Sequence, residues 1–488
     1  MLFQCCGFTE NVLTLTVAMM NRTGNVLWTG RVTCLIGLIT MLASVARAQD
    51  PPWATQIDAL VQPYLDESIV VGLVVGAIRG DESTVRGYGR VNLEEATKPN
   101  GQTLFEIGSV TKTFTGLLLA EAVVDGRVRL DQPLAELLTG GVRLSEHTDG
   151  AIRLEHLATH VSGLPRLPTN LTPKDARDPY ADYGKEQLNA FLSGYSLPRG
   201  PGVEIEYSNL AFGLLGEVLA AQADSSYGEL LHAKIAAPLR LNDTAVQIDA
   251  ARQARLATPY NVDLTEDQTW GFQAMAGAGG IYSTADDMLR FARAHLEPPE
   301  GPLGEAIELA WKVRQQPIEP QDFAMGLGWH VARDGETRWH NGQTGGYHCM
   351  LLINRKLDLA VAVLANTATM EVDALAEQLV RAQAGAPERP RKFAKTVEVS
   401  AEQKQRLVGR YQLAPTFILD VKIENDQLVV GATGQPYFRV YPQSVSSWRY
   451  RVVDAALTFE LGEAGPAAAV TLHQNGLDQR AERLAEPD

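Results

Sequence analysis

The sequence predicts a mixed α/β (α+β) fold, in which strands from both ends of a long segment form one sheet around an inserted helical region, followed by a separate all-β unit. Two observations support the first unit: residues 69–93 are typical of a β-hairpin, and strand-like segments return at 325–333, 347–353 and 359–366. Beyond residue 400, short alternating strands divided by turns predict the second unit. With 488 residues, the chain is long enough for both.

Residues 1–48 are interpreted as a signal peptide with cleavage before Gln49. Basic residues precede an uncharged apolar run at 32–45, and the small-x-small pattern "ARA" follows it. Residues 1–18 fit a signal peptide poorly, so we interpret them as an upstream extension. The alternative, a transmembrane anchor, is disfavoured because the run is shorter than the ~20 residues that span a bilayer. The signal predicts a periplasmic or secreted protein.

The composition is typical of a soluble globular protein, with 45% hydrophobic and 21% charged residues. A formal net charge of -15 disfavours nucleic acid and anionic membranes as partners. We therefore expect no nucleic-acid partner and, after signal cleavage, no membrane association. Because Cys349 is the one cysteine beyond the signal peptide, the mature chain is expected to depend on core packing rather than on an internal disulfide.

A helical region is predicted between the two groups of strands. Ser283 and Asp286 are expected to form a capping box at the start of its last helix. A sheet beside such a region predicts a cleft between them, which is a favoured place for an active site. The predicted helices of this region span 111–125, 209–222 and 284–296, and loops rich in proline and glycine span 163–184 and 196–203. A further helix is predicted at 370–384, after the last strand of this unit.

Residues 386–399 are predicted to be a linker, because the surrounding stretch "AGAPERPRKFAK" mixes proline, glycine and charge. This boundary assigns residues 49–385 to the first unit and residues 400–488 to the all-β unit. We expect the all-β unit to form a small barrel or a curled sheet.

The segment "FEIGSVTKTFTG" (105–116) contains the first candidate catalytic pair. Ser109 lies three positions before Lys112 at a predicted helix start, and residues with this spacing share one helix face about 5–6 Å apart. Burial and the positive end of the helix dipole disfavour a charged lysine, so Lys112 is predicted to be the general base for a Ser109 nucleophile. The alternative is a capping serine beside a solvated lysine, and this segment alone does not decide between them.

A second candidate segment, "EYSNLAFGLLG", begins another apolar helix. Tyr207 is predicted to shuttle a proton, because a neighbouring lysine can hold a tyrosine near its ionised form. Asn209 is predicted to orient Lys112 and to bind a substrate carbonyl. The alternative for Tyr-Ser-Asn is an ordinary helix-capping role.

A third candidate segment, "WHNGQTGGYHCMLLIN", places His340, Asn341 and Gly342 before a strand. Its glycines let a substrate backbone approach closely, and an exposed edge there can bind an extended peptide by strand addition. The backbone N–H of Gln343 is predicted to pair with that of Ser109 as an oxyanion hole. The alternative is a glycine-rich turn between strands.

In order and spacing, these segments, with "IRLEHLATHVSGLP" and "AGGIYSTADDMLRF", resemble the class C β-lactamase and D,D-peptidase family of penicillin-recognising serine hydrolases. The resemblance covers residues 55–385 and implies a central antiparallel sheet with a helical subdomain. It implies Ser109 as the acylated nucleophile, Lys112 as its base, Tyr207 as the proton shuttle and Asn209 as a substrate-amide contact. The C-terminal unit resembles the lipocalin-like appendage of some peptidase and esterase relatives.

The resemblance implies an acyl-enzyme on Ser109 and hydrolysis of amide bonds in β-lactams or D-Ala-D-Ala-type peptides. Small-molecule substrates, and peptidoglycan as a further partner, are expected, with no cofactor. The chain departs from the family at the third motif, where His340-Asn341-Gly342 replaces the Lys-Thr-Gly of class C β-lactamases.

Histidine is a weaker, pH-dependent cation and Asn341 lacks the threonine hydroxyl, so the hold on a substrate carboxylate is expected to weaken. A carboxylesterase or D-aminopeptidase of the same fold is therefore the alternative function, and a non-catalytic penicillin-binding protein is a further one.

A zinc enzyme is the remaining alternative, since His156 and His160 in "HLATH" have i, i+4 spacing. No glutamate follows His156 as the zincin motif requires, and the sequence offers no obvious third ligand. We therefore expect no metal, and we expect packing and hydrogen bonding to account for both histidines.

Overall fold

The structure is a computed structural model of the chain. It divides into two units, Met1–Asp50 and Pro51–Asp488. In the first unit, β1 (Leu13–Met20) and β2 (Val26–Cys34) form an antiparallel pair. The signal peptide over residues 1–48 stays a prediction, and its cleavage site lies outside the described residues. The structure describes residues 13–20, 26–34, 53–139, 141–142, 144, 147–318, 322–393, 395–453, 455–474 and 476–485.

Strands from both ends of the segment before residue 386 form one antiparallel sheet. In chain order the strands are β3 (Gly72–Arg79), β4 (Glu82–Gly89), β5 (Leu104–Glu106), β6 (Tyr282–Thr284), β7 (Ala324–Met325), β8 (His330–Val331), β9 (Thr337–Gln343), β10 (His348–Asn354) and β11 (Leu359–Ala365). The sheet has the order β4-β3-β11-β10-β9-β8-β7, and β5 pairs separately with β6. Because β3 pairs with β11, the predicted assembly of the sheet from both ends of the segment is confirmed.

The sheet differs from the prediction around residues 325–342. Two short strands, β7 and β8, replace the single strand predicted at 325–333, and Gly328 between them has φ 75°. His340, Asn341 and Gly342 lie inside β9 rather than before a strand. The polar sequence of β9 lacks a strand pattern, so its conformation follows from pairing with the fully buried β10.

Helices cover both faces of the sheet. The four predicted helices are found as α2 (Thr111–Val124), α5 (Asn209–Gln222), α9 (Ala285–Leu296) and α11 (Glu371–Gln383). Helix α9 differs in its cap: the Thr284 hydroxyl accepts from Asp287 N at 3.2 Å, so the predicted Ser283–Asp286 box is wrong. Ser283 instead lies in β6, where it bonds Thr244. In the described part of the chain, no helix has the length and apolarity to cross a membrane. The helices are α1 (Ala54–Asp66), α2 (Thr111–Val124), α3 (Leu154–Ala158), α4 (Lys185–Gly194), α5 (Asn209–Gln222), α6 (Tyr227–Leu231), α7 (Ala250–Gln253), α8 (Ala276–Gly279), α9 (Ala285–Leu296), α10 (Pro302–Trp311), α11 (Glu371–Gln383) and α12 (Ala401–Gln405).

Each face of the sheet has its own core. Helices α1 and α11 pack on one face, where Met350 of β10 is buried with Tyr64 and Leu375. The helical region packs on the other face, where Leu351 of β10 is buried with Phe114. Neighbouring residues of one strand therefore point into different cores, which is the alternation expected of a sheet covered on both sides.

The C-terminal segment forms a closed eight-stranded antiparallel barrel, in which the last strand pairs with the first. Its interior is filled by side chains such as Tyr411, Leu419 and Trp448. The predicted all-β unit is confirmed, and this up-and-down architecture is the one found in lipocalins. The predicted boundaries 49–385, 386–399 and 400–488 stay predictions. The strands are β12 (Gly409–Ala414), β13 (Phe417–Glu424), β14 (Gln427–Ala432), β15 (Tyr437–Pro442), β16 (Ser447–Tyr450), β17 (Ala455–Glu460), β18 (Ala469–Gln474) and β19 (Leu477–Arg483).

Candidate active site

Ser109 lies at the junction between the sheet and the helical region. It is the middle residue of a 3-10 turn, Gly108–Val110, that leads directly into α2. Gly108 has φ 50°, a conformation that L side chains rarely adopt, and this bend brings the turn against β9. Ser109 is partly exposed while its neighbours are buried, so its hydroxyl is accessible at the positive end of α2.

Lys112 is fully buried in the first turn of α2. Its Nζ lies 2.9 Å from Ser109 Oγ, 2.9 Å from Asn209 Oδ1 and 2.7 Å from the carbonyl oxygen of Ala278. Burial, and secondarily the charge of Arg166, lower the pKa of Lys112 well below its usual value. A neutral amine has two N–H groups, which Asn209 and Ala278 accept, and its lone pair then faces the Ser109 hydroxyl.

Tyr207 lies beside this pair, with Lys112 Nζ 4.8 Å from the centre of its ring. Burial raises the pKa of Tyr207 above its ordinary value, an effect that the Ser109 hydroxyl and Arg166 only partly oppose. The prediction that Lys112 holds Tyr207 near its ionised form is therefore wrong. A protonated phenol next to a neutral amine is suited to relaying a proton.

Asn209 begins α5 and meets Lys112 through its side-chain oxygen. Its Nδ2 donates to the Tyr180 hydroxyl at 3.1 Å. Ser208 caps the helix by accepting from Ala211 N at 2.9 Å, and its own N–H donates to His160 Nδ1 at 3.0 Å. The predicted orienting contact and the capping alternative are therefore both present in this segment.

The turn that holds Ser109 packs closely against the end of β9. A Cβ atom on Gly342 would lie 2.0 Å from the Ile107 carbonyl oxygen and 2.7 Å from Ser109 N, so only glycine allows this approach. Thr344 N donates across the hairpin to Tyr347 O, and alternate backbone N–H groups of a strand point to opposite edges. The N–H of Gln343 therefore points away from β10, toward the Ser109 turn.

One edge of β9 is left open beside Ser109. Strand β8 pairs with β9 only at Trp339 and Arg338, and residues 340–343 have no strand partner on that side within the described residues. This is the type of edge that accepts an extended peptide by strand addition.

His340 lies on the Ser109 face of β9, since it pairs with Leu351 of that core. It is 1% exposed, and its Nδ1 lies 2.6 Å from the carbonyl oxygen of Asn341. Burial, with smaller contributions from His330 and Lys112, lowers the pKa of His340 well below its usual value. The imidazole is therefore held in its neutral form, with the Nδ1 proton donated to the Asn341 carbonyl oxygen and the Nε2 lone pair without a partner among the described residues. This agrees with the expectation that His340 holds a substrate carboxylate more weakly than a lysine does, and the substrate contact itself stays a prediction.

Asn341 is not brought to the Ser109 face. It pairs with Met350, which belongs to the α11 core, and its Nδ2 donates to Asp373 Oδ2 at 2.7 Å. The Asp373 carboxylate also contacts His348 Nε2 at 2.6 Å, and His348 Nδ1 lies 2.9 Å from Gln343 Oε1. The prediction that the Asn341 side chain contacts substrate is therefore wrong. This side chain lies on the face of the sheet covered by α11, where it bonds Asp373.

Sequence reasoning missed three residues that contact the predicted site residues, and a buried carboxylate three positions before Ser109. His330 packs at 4.8 Å from His340, and burial lowers its pKa to about 3. Arg166 lies over the Tyr207 ring at 5.0 Å, and Tyr180 holds Asn209. Glu106 is 3% exposed, accepts from Trp270 N at 2.7 Å, and has its pKa raised by burial to about 7. For Glu106, the one sequence signal was a carboxylate inside the apolar stretch "LFEIG".

The two histidines of "HLATH" have separate hydrogen-bond partners. His156 Nδ1 accepts from Arg153 N at 3.2 Å, and His160 Nδ1 accepts from Ser208 N. Among the described residues, no group of three or more His, Cys, Asp or Glu is arranged to hold a metal ion.

A cavity of about 560 Å³ lies between the barrel and the side of the sheet covered by α11, and Ser109 is not among its lining residues. Of the predicted site residues, Gln343 alone lines it. The candidate active site is therefore located by the contacts of Ser109 and not by this cavity.

The chain is similar to enzymes of known class. An Escherichia coli (strain K12) protein, D-alanyl-D-alanine-carboxypeptidase/endopeptidase AmpH, is 32% identical over 270 residues, which are 52% of this chain and 66% of that protein. A beta-lactamase of Yersinia enterocolitica is 28% identical over 285 residues, covering 57% of this chain and 69% of that protein. The chain thus spans just under two thirds of the length of the first of these relatives.

Solved structures show the same fold. A beta-lactamase/D-alanine carboxypeptidase from Yersinia pestis, complexed with citrate, has a TM-score of 0.59 and 26% identity, covering 68% of this chain and 99% of that chain. A class C beta lactamase has a TM-score of 0.60 and 20% identity, covering 68% and 98%. The expected β-lactamase-like fold is confirmed. Residues 57–386 match the family described as Beta-lactamase, and the chain therefore belongs to the beta-lactamase family.

Proposed function

We propose that this protein is a serine hydrolase that forms an acyl-enzyme on Ser109 and cleaves amide bonds in D-Ala-D-Ala-type peptides or β-lactams. The observation that carries the proposal is the buried Lys112 amine 2.9 Å from Ser109 Oγ, with two other acceptors for its N–H groups. A nucleophile beside a neutralised base is the arrangement that activates a serine hydroxyl. The similarity to a carboxypeptidase and to β-lactamases supports the same reaction class.

The proposed reaction begins when Lys112 accepts the Ser109 proton and Oγ attacks the substrate carbonyl. The N–H groups of Ser109 and Gln343 stabilise the oxyanion. Tyr207, whose raised pKa keeps it protonated before the reaction, passes its proton to the leaving nitrogen and is reprotonated from Lys112. Water then attacks the acyl-enzyme, with the same groups acting in reverse, and releases the acyl product and the serine.

Asn209 and the edge of β9 are proposed to bind the substrate backbone. The side-chain oxygen of Asn209 accepts a hydrogen bond from Lys112 and holds it in place. Its Nδ2 donates to the Tyr180 hydroxyl and, when substrate binds, donates to a substrate carbonyl instead, which is the predicted amide contact. Residues 340–343 are proposed to pair with an extended peptide. Gly342 serves here by allowing close approach, and the Gln343 backbone by donating to the oxyanion.

A carboxylesterase or D-aminopeptidase remains the second candidate, because one observation favours it. His340 is neutral, so it does not supply the ammonium that the third motif of class C β-lactamases presents to a substrate carboxylate. The binding of substrates without that carboxylate is not weakened by histidine in place of lysine at position 340. A non-catalytic penicillin-binding protein is disfavoured, since the contacts among Ser109, Lys112 and Asn209 are intact.

Location and partners are proposed from the sequence and the reaction. We propose export to the periplasm or outside the cell after removal of residues 1–48, where peptidoglycan-derived peptides are the small-molecule substrates. Cell fractionation with N-terminal sequencing of the mature protein tests this, and a mature N-terminus far from Gln49 contradicts it.

Turnover measurements separate the candidate functions. The protein is incubated with a fluorescent penicillin, a D-Ala-D-Ala peptide and p-nitrophenyl acetate, with Ser109→Ala as the control. A peptidase releases D-alanine and holds the penicillin as a slowly decaying adduct, a β-lactamase releases hydrolysed penicillin rapidly, and an esterase cleaves only the ester. Hydrolysis that survives in Ser109→Ala at the wild-type rate contradicts all three.

A further inference from the structure

Among the described residues around Tyr207 and His340, one exposed charged side chain has no carboxylate partner. His160, His330 and His340 are buried imidazoles around the Tyr207 ring, and the pKa of each is lowered by burial. Neutral imidazoles provide no electrostatic attraction for an anion near neutral pH. The positive charge at this position must therefore come from elsewhere if the site binds carboxylates.

Arg166 provides such a charge. Its side chain is exposed, and its guanidinium carbon lies 5.0 Å from the centre of the Tyr207 ring. No carboxylate of the described residues lies within ion-pair distance of it, whereas Arg177 on the same loop is paired with Asp175. Its charge reaches the reacting groups, since it contributes to the lowered pKa of Lys112 and opposes the rise in that of Tyr207.

The loop that carries Arg166 is fixed against the helix that carries Asn209. The Arg166 carbonyl oxygen accepts from Asn209 N at 3.0 Å and from Leu210 N at 3.3 Å, and Ser208 Oγ donates to the Pro165 carbonyl at 2.7 Å. The guanidinium therefore extends over the site from an anchored backbone. Its planar fork can bind a carboxylate through two parallel hydrogen bonds, which a lysine ammonium cannot do.

We infer that Arg166 binds the carboxylate of the substrate and thereby replaces the cation that the third motif lacks at His340. This inference rests on the proposed function. It assigns the substrate class more narrowly: peptides with a free C-terminal carboxylate, or β-lactams with their carboxylate ionised, rather than neutral esters. The structural alternative is that Arg166 only stacks on Tyr207 and shields it.

The test compares two substrates that differ in one charge: a D-Ala-D-Ala peptide acid and the same peptide with a C-terminal amide. The measured quantity is the ratio of their kcat/KM values. Arg166→Gln should lower the acid-to-amide ratio by about tenfold or more, chiefly through KM, because a hydrogen-bonded charge pair is lost. Arg166→Lys should lower it less.

Two further variants make the result specific. Arg166→Gln combined with His340→Lys restores a cation at the third motif and should recover part of the ratio. Arg177→Gln, which removes a paired arginine from the same loop, should leave the ratio unchanged. An Arg166→Gln variant that loses activity equally on both peptides, or on neither, overturns the inference.

Failure of the proposed function gives a different result. If neither peptide is cleaved, the same ratio is taken from the rates at which a penicillin and its methyl ester acylate Ser109. An equal effect of Arg166→Gln on the two acylation rates overturns the inference while the serine hydrolase stands. Absence of any Ser109 adduct with either compound overturns both.

Discussion

Glu106 should make the folded protein less stable as pH rises toward neutrality, and Glu106→Gln should remove this loss. The carboxyl is 3% exposed, and burial raises its pKa from 4.5 to about 7. One tenfold change in proton affinity is worth about 1.4 kcal/mol, so this change corresponds to about 3 kcal/mol. Most of the carboxyl surface is inaccessible, which limits solvent screening.

The sign follows from proton binding in the two states. Below pH 4.5 the carboxyl is protonated in both the folded and the unfolded chain. Between pH 4.5 and about 7 the unfolded chain releases the proton while the folded chain keeps it, so the free energy of unfolding falls as pH rises. Above about pH 7 both states are ionised, and the accumulated loss levels off at about 3 kcal/mol.

Urea unfolding of the wild type and Glu106→Gln from pH 5 to pH 8, followed by tryptophan fluorescence, measures this difference. The variant should gain up to about 3 kcal/mol relative to the wild type across this range. Glu300→Gln, at an exposed position in the turn before α10, is the matched control and should follow the wild type. A Glu106→Gln profile parallel to that of the wild type would refute the reasoning.

Three further predictions concern the reacting groups. Tyr207→Phe should lower the acylation rate by about 10²–10⁴-fold with little change in KM, as expected for loss of a general acid–base group; stopped-flow acylation checks this, and an unchanged rate contradicts it. Lys112→Met should abolish acylation by penicillin while the protein still folds, because the buried amine is replaced by an apolar chain of similar length; an adduct formed at the wild-type rate excludes Lys112 as the base. Gly342→Ala should lower kcat by about 10²–10³-fold, since its Cβ would lie 2.0 Å from the Ile107 oxygen and would push β9 away from the oxyanion position. Gly194→Ala, where a Cβ meets nothing within 4 Å, is the control that should leave kcat unchanged.

Local sequence patterns predicted the apolar helices and the contact between Ser109 and Lys112. The apolar helices at 111–125 and 209–222 are found as α2 and α5. The i, i+3 spacing of Ser109 and Lys112 is found as a 2.9 Å contact. The start of the helix alone brings Ser109 and Lys112 together. Their i, i+3 spacing was therefore enough to predict the contact from the sequence.

Tertiary packing decided what the sequence did not predict. Strand β9 is polar and glycine-containing, and pairing with β10 determines its conformation. Arg166 follows the segment "IRLEHLATHVSGLP" directly and His330 lies in the strand predicted at 325–333, but neither pattern assigns these two side chains a role. They reach Tyr207 only after the loop and the sheet are folded. The charge state of His340 depends on its complete burial, which residue identity alone could not reveal.

Peptide mapping of the covalent adduct tests the central claim most directly. The mature protein is acylated with a fluorescent penicillin, quenched, digested and analysed by mass spectrometry, with Ser109→Ala treated in parallel. The account predicts one labelled site, at Ser109, and no label in the Ser109→Ala protein. A label on another residue, or a label that persists in Ser109→Ala, would contradict it.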